Sequence, residues 1–376
     1  MDERIRFVIA ALDREQNMKA LCEAFGISRP TGYHWLRRYE AVGSMVEMKA
    51  FSRRPHHSPR QISPATVDRI VSQRLAYGWG GRKLQLLLAQ EGVLVSESTI
   101  NRTIKRCGLT GYHETAGTAT RRFAREHPND LWQMDFKGYY NLGQGRCYPL
   151  SVIDDHSRFA LGVFALDGQS GSAVHHCLVT TFKSYGVPQA MLVDHGIPWW
   201  SPNGHGLTWL AVALIKQGIQ LCFSGLRHPQ TQGKVERFHR TLSDSVRHHG
   251  RPKRLSDWQQ AFDDFTLEYN HIRGHESLQM NVPASRYQPS HRNYQPHPRE
   301  WLYDGEGPVI RLNSQGIITW HNQRYFVCEA LANELVQVHP LEHQLLVQFR
   351  HMWIREIDLK TGRSLTLVDK NHNPYV

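Results

Sequence analysis

Three acidic residues of this chain stand where carboxylates could do chemistry together. Asp135 lies in WQMDFKG, Asp194 in LVDHGIPW and Glu236 in HPQTQGKVERFHRTL. The surrounding patterns place them in a first strand, at the end of a later strand and in the first turns of a helix. Carboxylates brought close together repel one another and raise one another's pKa unless cations compensate, so their natural occupant is divalent metal.

Such a cluster suits the cleavage of a phosphodiester. Hard oxygen ligands favour Mg²⁺, with Mn²⁺ as a substitute. With two ions about 4 Å apart, one can activate the attacking oxygen while the other stabilises the leaving oxygen of an in-line displacement. We therefore expect two metal ions per active site if the three acids converge.

The elements around these acids predict a mixed α/β sheet that could bring them together. Three aromatic and β-branched runs, LWQMDFKGYYNL, RCYPLSVIDDHS and RFALGVFALDG, predict an antiparallel meander. Helices then alternate with two further strands, QAMLVD and IQLCFS. A mixed sheet of this kind can place the first strand beside the fourth, and the helix that carries Glu236 can cover that edge.

Composition and charge indicate the class of partner. A chain of 376 residues with 40% apolar content predicts several domains, and a net charge of +11 favours a polyanion. No apolar stretch is long enough to span a bilayer, so nucleic acid is favoured over a membrane. Six cysteines without a CxxC pair and an N-terminus, MDERIRFVIAALDREQ, without a secretory pattern lead us to expect a cytoplasmic, nucleoid-associated protein.

Residues 1–45 predict a helix-turn-helix unit. In MKALCEAFGISRPTGYHWLRRYEAVG a helix is followed by a break at Gly26 and a second helix capped by Ser28. The candidate DNA contacts on this second helix are Arg29, Thr31, His34, Arg37 and Arg38. The alternative is an ordinary helical pair with a basic, solvated face.

Residues 46–62 predict a basic linker, and residues 63–112 predict a second helix-turn-helix unit. Ser96 is a good N-cap for a helix whose Ile100 and Ile104 face inward. The candidate DNA contacts on the outer face of that helix are Asn101, Arg102 and Lys105. Two such units in tandem favour DNA reading, whereas the linker either lies along DNA or is a solvated tether.

The helix that carries Glu236 has a second distinct face. Its apolar stripe, predicted to dock on the sheet, consists of Val235, Phe238, Leu242 and Val246. The basic residues of the same helix, predicted to contact the DNA backbone, are Lys234, Arg237 and Arg240. The polar loop before it, 228–233, borders the predicted site of cleavage.

These motifs, together with YNHIRGHESL, resemble the integrase core of DDE transposases and retroviral-type integrases, and among them a branch of bacterial insertion-sequence transposases. The resemblance covers nearly the whole chain: the two helix-turn-helix units, a ribonuclease-H-like catalytic core over 125–290, and a small C-terminal β-barrel-like domain over 300–376 of about five strands. It implies that Asp135, Asp194 and Glu236 are the catalytic residues and metal ligands. It also implies a Mg²⁺-dependent transposase that hydrolyses double-stranded DNA at transposon ends and uses the freed 3′-hydroxyl to attack target DNA, as a homo-multimer that joins two ends.

The chain departs from the family pattern in three places. His195 replaces the Asn that many relatives carry after the second Asp, and it could alter the surroundings of the metal or the approach of the substrate. The stretch 199–206, WWSPNGHG, is predicted to hold an insertion as a surface loop. The trailing motif, RPH in relatives, is here Arg273-Gly274-His275.

Several residues near the motifs have competing interpretations. Asp154 and Asp155 in VIDDHSR are the main rivals as ligands, although acids at a strand end commonly cap a turn. Trp132 is predicted to pack in the core rather than stack on bases. His239 could shuttle protons, contact DNA or make a structural hydrogen bond.

Two other functions are consistent with parts of the pattern. A catalytically silent DNA-binding repressor derived from a transposase would keep the helix-turn-helix units, but a broken triad would be expected, and here the three acids are intact. A structure-selective nuclease on the same fold would not need two sequence-reading units. An active transposase is therefore the leading hypothesis.

Overall fold

The computed structural model describes residues 3–43, 61–111, 125–201, 206–224 and 233–368. The chain divides into two compact units, Met1–Ser63 and Pro64–Val376. Most of the predicted basic linker and residues 228–232 of the polar loop lie outside the described residues. No helix in the described ranges is long and apolar enough to cross a membrane.

The first unit contains the predicted helix-turn-helix. Its helices are α1 (Glu3–Leu12), α2 (Met18–Ala24) and α3 (Arg29–Val42). Gly26 has a φ of 63° in the turn between α2 and α3, a conformation that glycine adopts without strain. The Ser28 hydroxyl caps α3 by accepting a hydrogen bond from the backbone N–H of Thr31 at 3.4 Å. Gly32 allows close packing of α3, since a Cβ there would lie 2.7 Å from Phe7 Cζ.

The second helix-turn-helix lies in the larger unit. Its helices are α4 (Pro64–Tyr77), α5 (Gly81–Gln90) and α6 (Glu97–Arg106). The Ser96 hydroxyl caps α6 by accepting from the N–H of Thr99 at 3.4 Å. Ile100 and Ile104 are buried, as their inward-facing positions predict. Arg74 stiffens the unit, because its guanidinium donates to the carbonyls of Leu109 and Trp79 at 3.1 and 2.7 Å.

A mixed sheet forms the centre of the larger unit. Its strands are β1 (Leu131–Phe136), β2 (Tyr140–Asn141), β3 (Arg146–Asp154), β4 (Ala160–Leu166), β5 (Ala190–Val193) and β8 (Gln220–Phe223). Two short strands between β5 and β8, β6 (Trp200–Ser201) and β7 (Gly206–Leu207), pair with each other and form a separate two-stranded sheet. The strand order is β2-β3-β1-β5-β8, with β4 on β3. β1, β2 and β4 pair antiparallel with β3, whereas β1, β5 and β8 are parallel. The predicted mixed sheet is confirmed.

Helices cover both faces of this sheet. They are α7 (Gly171–Tyr185), α8 (Trp209–Lys216), α9 (Gly233–His249) and α10 (Leu255–His271). Trp132 and Met134 of β1 belong to the core that includes α7 and α8, whereas the apolar residues of α9 and α10 form a second core with β3 and β4. Because side chains alternate along a strand, Gln133 and Asp135 point to the face that α9 covers.

The C-terminal strands form an open sheet. They are β9 (Val309–Arg311), β10 (Ile317–Trp320), β11 (Gln323–Phe326), β12 (Leu335–Pro340), β13 (Gln344–Phe349), β14 (Met352–Asp358) and β15 (Ser364–Thr366). Five of them pair in the order β15-β14-β13-β12-β9, and β10 and β11 form a separate hairpin. The barrel prediction is not confirmed over the described residues, since the sheet keeps two short edge strands. Val309 and Leu365 on those edges are 45% and 57% exposed, not buried in a closure.

Candidate active site

Asp135 and Asp194 lie at the same end of two neighbouring strands. β1 and β5 are parallel, with Gln133 opposite Leu192. Asp135 is two residues beyond Gln133 and Asp194 is two residues beyond Leu192, so both carboxylates follow the last paired residues of two strands about 4.8 Å apart. The backbone N–H of Gly196 donates to Asp194 Oδ1 at 3.1 Å, which orients that carboxylate. The predicted fourth strand, QAMLVD, corresponds to β5, and its predicted pairing with the first strand is confirmed.

Glu236 approaches this pair from the helix that covers it. The predicted apolar stripe of α9 is buried in full: Val235, Phe238, Leu242 and Val246. It docks the helix on the sheet and leaves Glu236, in the first turn, exposed at the margin of the stripe. Glu236 is close enough to raise the pKa of Asp135.

Asp194 and Glu236 lie near enough to Asp135 to act on its charge. Burial raises the pKa of Asp135 to about 7, and the negative charges of Asp194 and Glu236 act in the same direction. A divalent cation would relieve this repulsion, and carboxylate oxygens are the kind of ligand that Mg²⁺ and Mn²⁺ prefer. Among the residues that the structure describes, no group of three or more His, Cys, Asp or Glu side chains, these three acids included, is arranged so that it could hold a metal ion.

His239 lies beside Asp135. Its Nδ1 lies 3.9 Å from Asp135 Oδ2, and its side chain is 9% exposed. Burial, with a smaller contribution from Lys137, lowers the pKa of His239 to about 3, so the ring is neutral at neutral pH. Its Nε2 has no hydrogen-bond partner among the described residues. The burial of the His239 ring argues against direct contact with DNA. An interaction with Asp135 remains the role for this side chain.

Asp154 is a structural residue. It is fully buried at the end of β3. Its carboxylate accepts hydrogen bonds from the N–H groups of Asn129 and Ser157 at 2.7 and 2.8 Å, and from the Ser157 hydroxyl at 2.6 Å. The same Asn129 accepts from Trp132 Nε1 at 3.0 Å, and Trp132 is fully buried, so its predicted role in packing is confirmed.

Asp155 is also fully buried, but it has a different partner. It accepts hydrogen bonds from Gln133 Nε2 at 2.7 Å and from the N–H of Arg125 at 2.9 Å, and it forms an ion pair with Lys234. Lys234, predicted to contact DNA, thus reaches inward from the first turn of α9. Spacing gave no signal for this pair, because its two members are far apart in the sequence.

His195 packs among aromatic rings beside Asp194. Its ring centroid lies 5.4 Å from those of both Trp200 and Phe223. The prediction of a surface loop over 199–206 is wrong at the ends of that stretch. Trp199 is 2% exposed and β6 pairs with β7, because the two adjacent indoles find apolar partners in the core; residues 202–205 lie outside the description.

The Arg273-Gly274-His275 motif packs against the second helix-turn-helix unit. The Arg273 guanidinium lies 5.6 Å from the centre of the Trp79 ring. A Cβ at Gly274 would meet Leu86 Cδ2 at 2.8 Å, so only glycine permits this approach. His275 Nδ1 lies 3.0 Å from the Ser277 hydroxyl.

The candidate DNA contacts differ in exposure. Arg29, His34 and Arg37 of α3 are exposed, whereas Thr31 and Arg38 are half-buried, and the Thr31 hydroxyl lies 2.8 Å from Ser28 Oγ. The three predicted contacts of α6 are all exposed: Asn101, Arg102 and Lys105. On α9 the two exposed basic candidates are Arg237 and Arg240.

Known protein families match both the N-terminal helices and the region of the mixed sheet. Residues 125–229 and residues 217–283 each match a family described as integrase core domain. Residues 3–46 match a helix-turn-helix domain family, and residues 31–104 match a homeodomain-like domain family. The chain therefore places helix-turn-helix segments ahead of an integrase core.

Curated relatives narrow the class further. The insertion element IS476 uncharacterized 39.2 kDa protein of Xanthomonas euvesicatoria is 24% identical and aligns with 69% of this chain and 79% of its own length. The insertion element IS407 uncharacterized 31.7 kDa protein of Burkholderia multivorans is 23% identical over 68% and 91%. The transposase for transposon Tn552 of Staphylococcus aureus is 26% identical over 44% and 38%. The chain is thus similar to insertion-element proteins and to a transposase, and it carries integrase core domain matches over 125–229 and 217–283.

Proposed function

We propose that this protein is a DNA transposase that binds the terminal inverted repeats of its element, cleaves a DNA phosphodiester there and transfers the freed 3′-hydroxyl end to target DNA. One observation carries the proposal. Asp135 and Asp194 follow the paired ends of two parallel strands, and the charges of Asp194 and Glu236 add to the rise that burial causes in the pKa of Asp135. Neighbouring carboxylates repel one another unless a cation compensates their charge. A divalent metal provides that compensation and can also catalyse phosphodiester cleavage.

In this proposal Asp135, Asp194 and Glu236 hold Mg²⁺ or Mn²⁺, two ions per site. When bound, the metal supplies charge neutralisation and activation of the attacking oxygen. The neutral His239 ring shields Asp135 from solvent on the side of the helix. Lys234, by its ion pair with buried Asp155, fixes the first turn of α9 and with it the position of Glu236.

DNA binding is assigned to the exposed basic faces. We propose that α3 and α6 read base edges in the major groove, because their outward residues include arginines and an asparagine that suit guanine and adenine edges. Arg237 and Arg240 are exposed on the helix that carries Glu236, where they can neutralise phosphates beside the scissile bond. Joining two ends in one complex requires a homo-multimer.

The test uses a duplex that carries the sequence flanking the gene, incubated with the full chain and Mg²⁺ or Mn²⁺. The wild type is expected to nick at the repeat boundary and join that end to a target duplex, whereas Asp135→Asn binds equally and does neither. A second readout is the rise of the melting temperature on adding Mn²⁺, which Asp135→Asn should reduce. Asp263→Asn, an exposed acid on α10, is the matched control.

The other outcomes identify the competing functions. Tight, specific binding without cleavage in either metal would contradict the proposal and indicate a silent DNA-binding repressor. Cleavage without preference for the repeat and without joining would indicate a nuclease. In either case the effect of Asp135→Asn on the Mn²⁺-dependent melting shift still reports whether the carboxylates bind metal.

A further inference from the structure

The second helix-turn-helix unit is joined to the catalytic core by a set of polar and aromatic contacts. We define the joint as residues 75–86 on the helix-turn-helix side and the core residues that touch them. On the core side these are His248 at the end of α9, Glu268 in α10, and Arg273, Gly274 and Glu276 in the segment after α10.

Trp79 forms the centre of the joint. It is 5% exposed, stacks on Tyr77 with ring centroids 4.6 Å apart, and lies under the Arg273 guanidinium. The half-buried carboxylate of Glu268 is near the indole, and Trp79 partly offsets the rise that burial causes in the pKa of Glu268. An indole with a cation on its face and a carboxylate beside it is held in one orientation.

Two further contacts lie on either side of Trp79. His248 Nε2 lies 2.8 Å from the carbonyl oxygen of Leu75, and a Cβ at Gly78 would lie 2.9 Å from His248 Nδ1. On the other side, the backbone at Gly274 comes close to Leu86 of α5. Gly78 and Gly274 therefore permit an approach that larger residues would prevent.

Glu276 links the helix-turn-helix unit to the helix that carries Glu236. Its carboxylate lies 3.6 Å from Lys83 Nζ in α5 and 3.8 Å from Arg237 Nη2 in α9. Lys83 is the main cause of a lowered pKa of Glu276, and Arg237 adds to it. Arg237 directly follows Glu236, so this bridge extends to the residue beside the candidate ligand.

The joint leaves the reading helix uncovered. The helix-turn-helix contacts named above come from the end of α4, the turn after it and α5, whereas Asn101, Arg102 and Lys105 of α6 are exposed. Arg74 ties the Trp79 carbonyl to that of Leu109 just beyond α6, so the orientation of Trp79 is transmitted to α6.

We propose that this joint makes the second helix-turn-helix unit a ruler, which sets the scissile phosphodiester at a fixed number of base pairs from the sequence that α6 reads. This rests on the proposed function. A freely tethered reading unit would tolerate changes in spacing, whereas a docked one cannot follow an insertion that displaces its site by about 3.4 Å per base pair.

The first experiment changes the DNA and leaves the protein intact. Hydroxyl-radical protection of the DNA defines the footprint of α6. This footprint consists of the base pairs that the full chain protects and that the Arg102→Ala/Lys105→Ala double variant leaves unprotected. One or two base pairs are then inserted between this footprint and the mapped nick. We expect the nick to move relative to the sequence, keeping its distance from the footprint.

The second experiment loosens the joint from the core side only, so that the helix-turn-helix fold keeps its own residues. The loosened variant carries His248→Ala, Arg273→Met and Glu276→Gln. The matched control carries three comparable substitutions elsewhere on α9 and α10: His249→Ala, Arg247→Met and Asp257→Asn. The loosened variant should lower the ratio of cuts at the main bond to cuts at adjacent bonds by about tenfold, which corresponds to about 1.4 kcal/mol.

The outcomes separate this inference from the function on which it rests. If the wild-type nick stays at its sequence boundary after insertion while the footprint is unmoved, the ruler is refuted and the transposase function stands. If the loosened variant cuts with wild-type accuracy and spacing, the joint is not the ruler. If the wild type makes no cut in Mg²⁺ or Mn²⁺, the proposed function fails and the ruler with it.

Discussion

Replacing Lys234 by Met gives the sharpest quantitative prediction about the core. The change removes the cation and leaves the fully buried Asp155 carboxylate with the Gln133 amide and the Arg125 N–H as hydrogen-bond donors and Arg158 as a nearby cation. Breaking a buried ion pair from one side costs roughly 3–5 kcal/mol. Because the Lys234 side chain is 17% exposed, we expect about 3 kcal/mol, the lower end of that range.

Removing both charges should recover most of that loss. Burial lowers the pKa of Lys234 to about 8 despite the adjacent carboxylate, which shows that desolvation outweighs the attraction. The pair as a whole is therefore not strongly stabilising, and an uncharged pair of similar size can replace it. The Lys234→Met/Asp155→Asn double variant keeps an acceptor for Gln133 and should be much closer to wild type than the single variant.

Thermal unfolding of the full chain, followed by circular dichroism, measures these differences. At about 2 °C per kcal/mol for a large domain, Lys234→Met should lower the melting temperature by about 6 °C. Lys216→Met is the matched control, because it breaks a more exposed pair with Glu334 and should cost less than about 1 kcal/mol. The reasoning is refuted if Lys234→Met melts like the control, or if the double variant is as unstable as the single one.

Three further predictions concern stability. Gly32→Ala should cost about 1–3 kcal/mol, since the new Cβ would lie 2.7 Å from Phe7 Cζ; an unchanged denaturation midpoint would contradict that packing. Trp132→Phe should cost about 1–2 kcal/mol by removing the hydrogen bond to Asn129, measured by urea denaturation. Because the pKa of Lys234 falls from 10.5 to about 8 on folding, the unfolded chain binds more protons between those values. The free energy of unfolding of wild type should therefore rise from pH 8 to 10.5 relative to Lys234→Met, and a fall would contradict the sign.

Local sequence signals were sufficient for most of the elements. Ser28 and Ser96 marked the starts of α3 and α6 because a hydroxyl N-cap satisfies the helix N–H groups with no help from distant residues. Gly26 marked the turn between α2 and α3 for an equally local reason. The hydrophobic period of α9 predicted the buried stripe, and so the margin on which Glu236 lies.

The C-terminal domain and the stretch 199–206 show where such signals end. Alternating apolar residues predicted the strands of the C-terminal sheet, but whether a sheet closes depends on which edge strands meet. Likewise, Trp199 carries no local mark that distinguishes an exposed indole from the buried one that the structure contains.

The sequence by itself determined the helices and strands, the basic character of the chain, the two helix-turn-helix units and the three candidate acids. Caps, hydrophobic periodicity and motifs depend on residues that are close together along the chain, so they can be recognised without the fold. Tertiary structure alone decided the rest. The parallel pairing of β1 with β5 brought Asp135 near Asp194, and burial assigned Asp154 and Asp155 to structural roles although all four are aspartates at or near strand ends. The inward turn of Lys234 and the docking of Trp79 on Arg273 also depend on distant residues meeting, which no local pattern encodes.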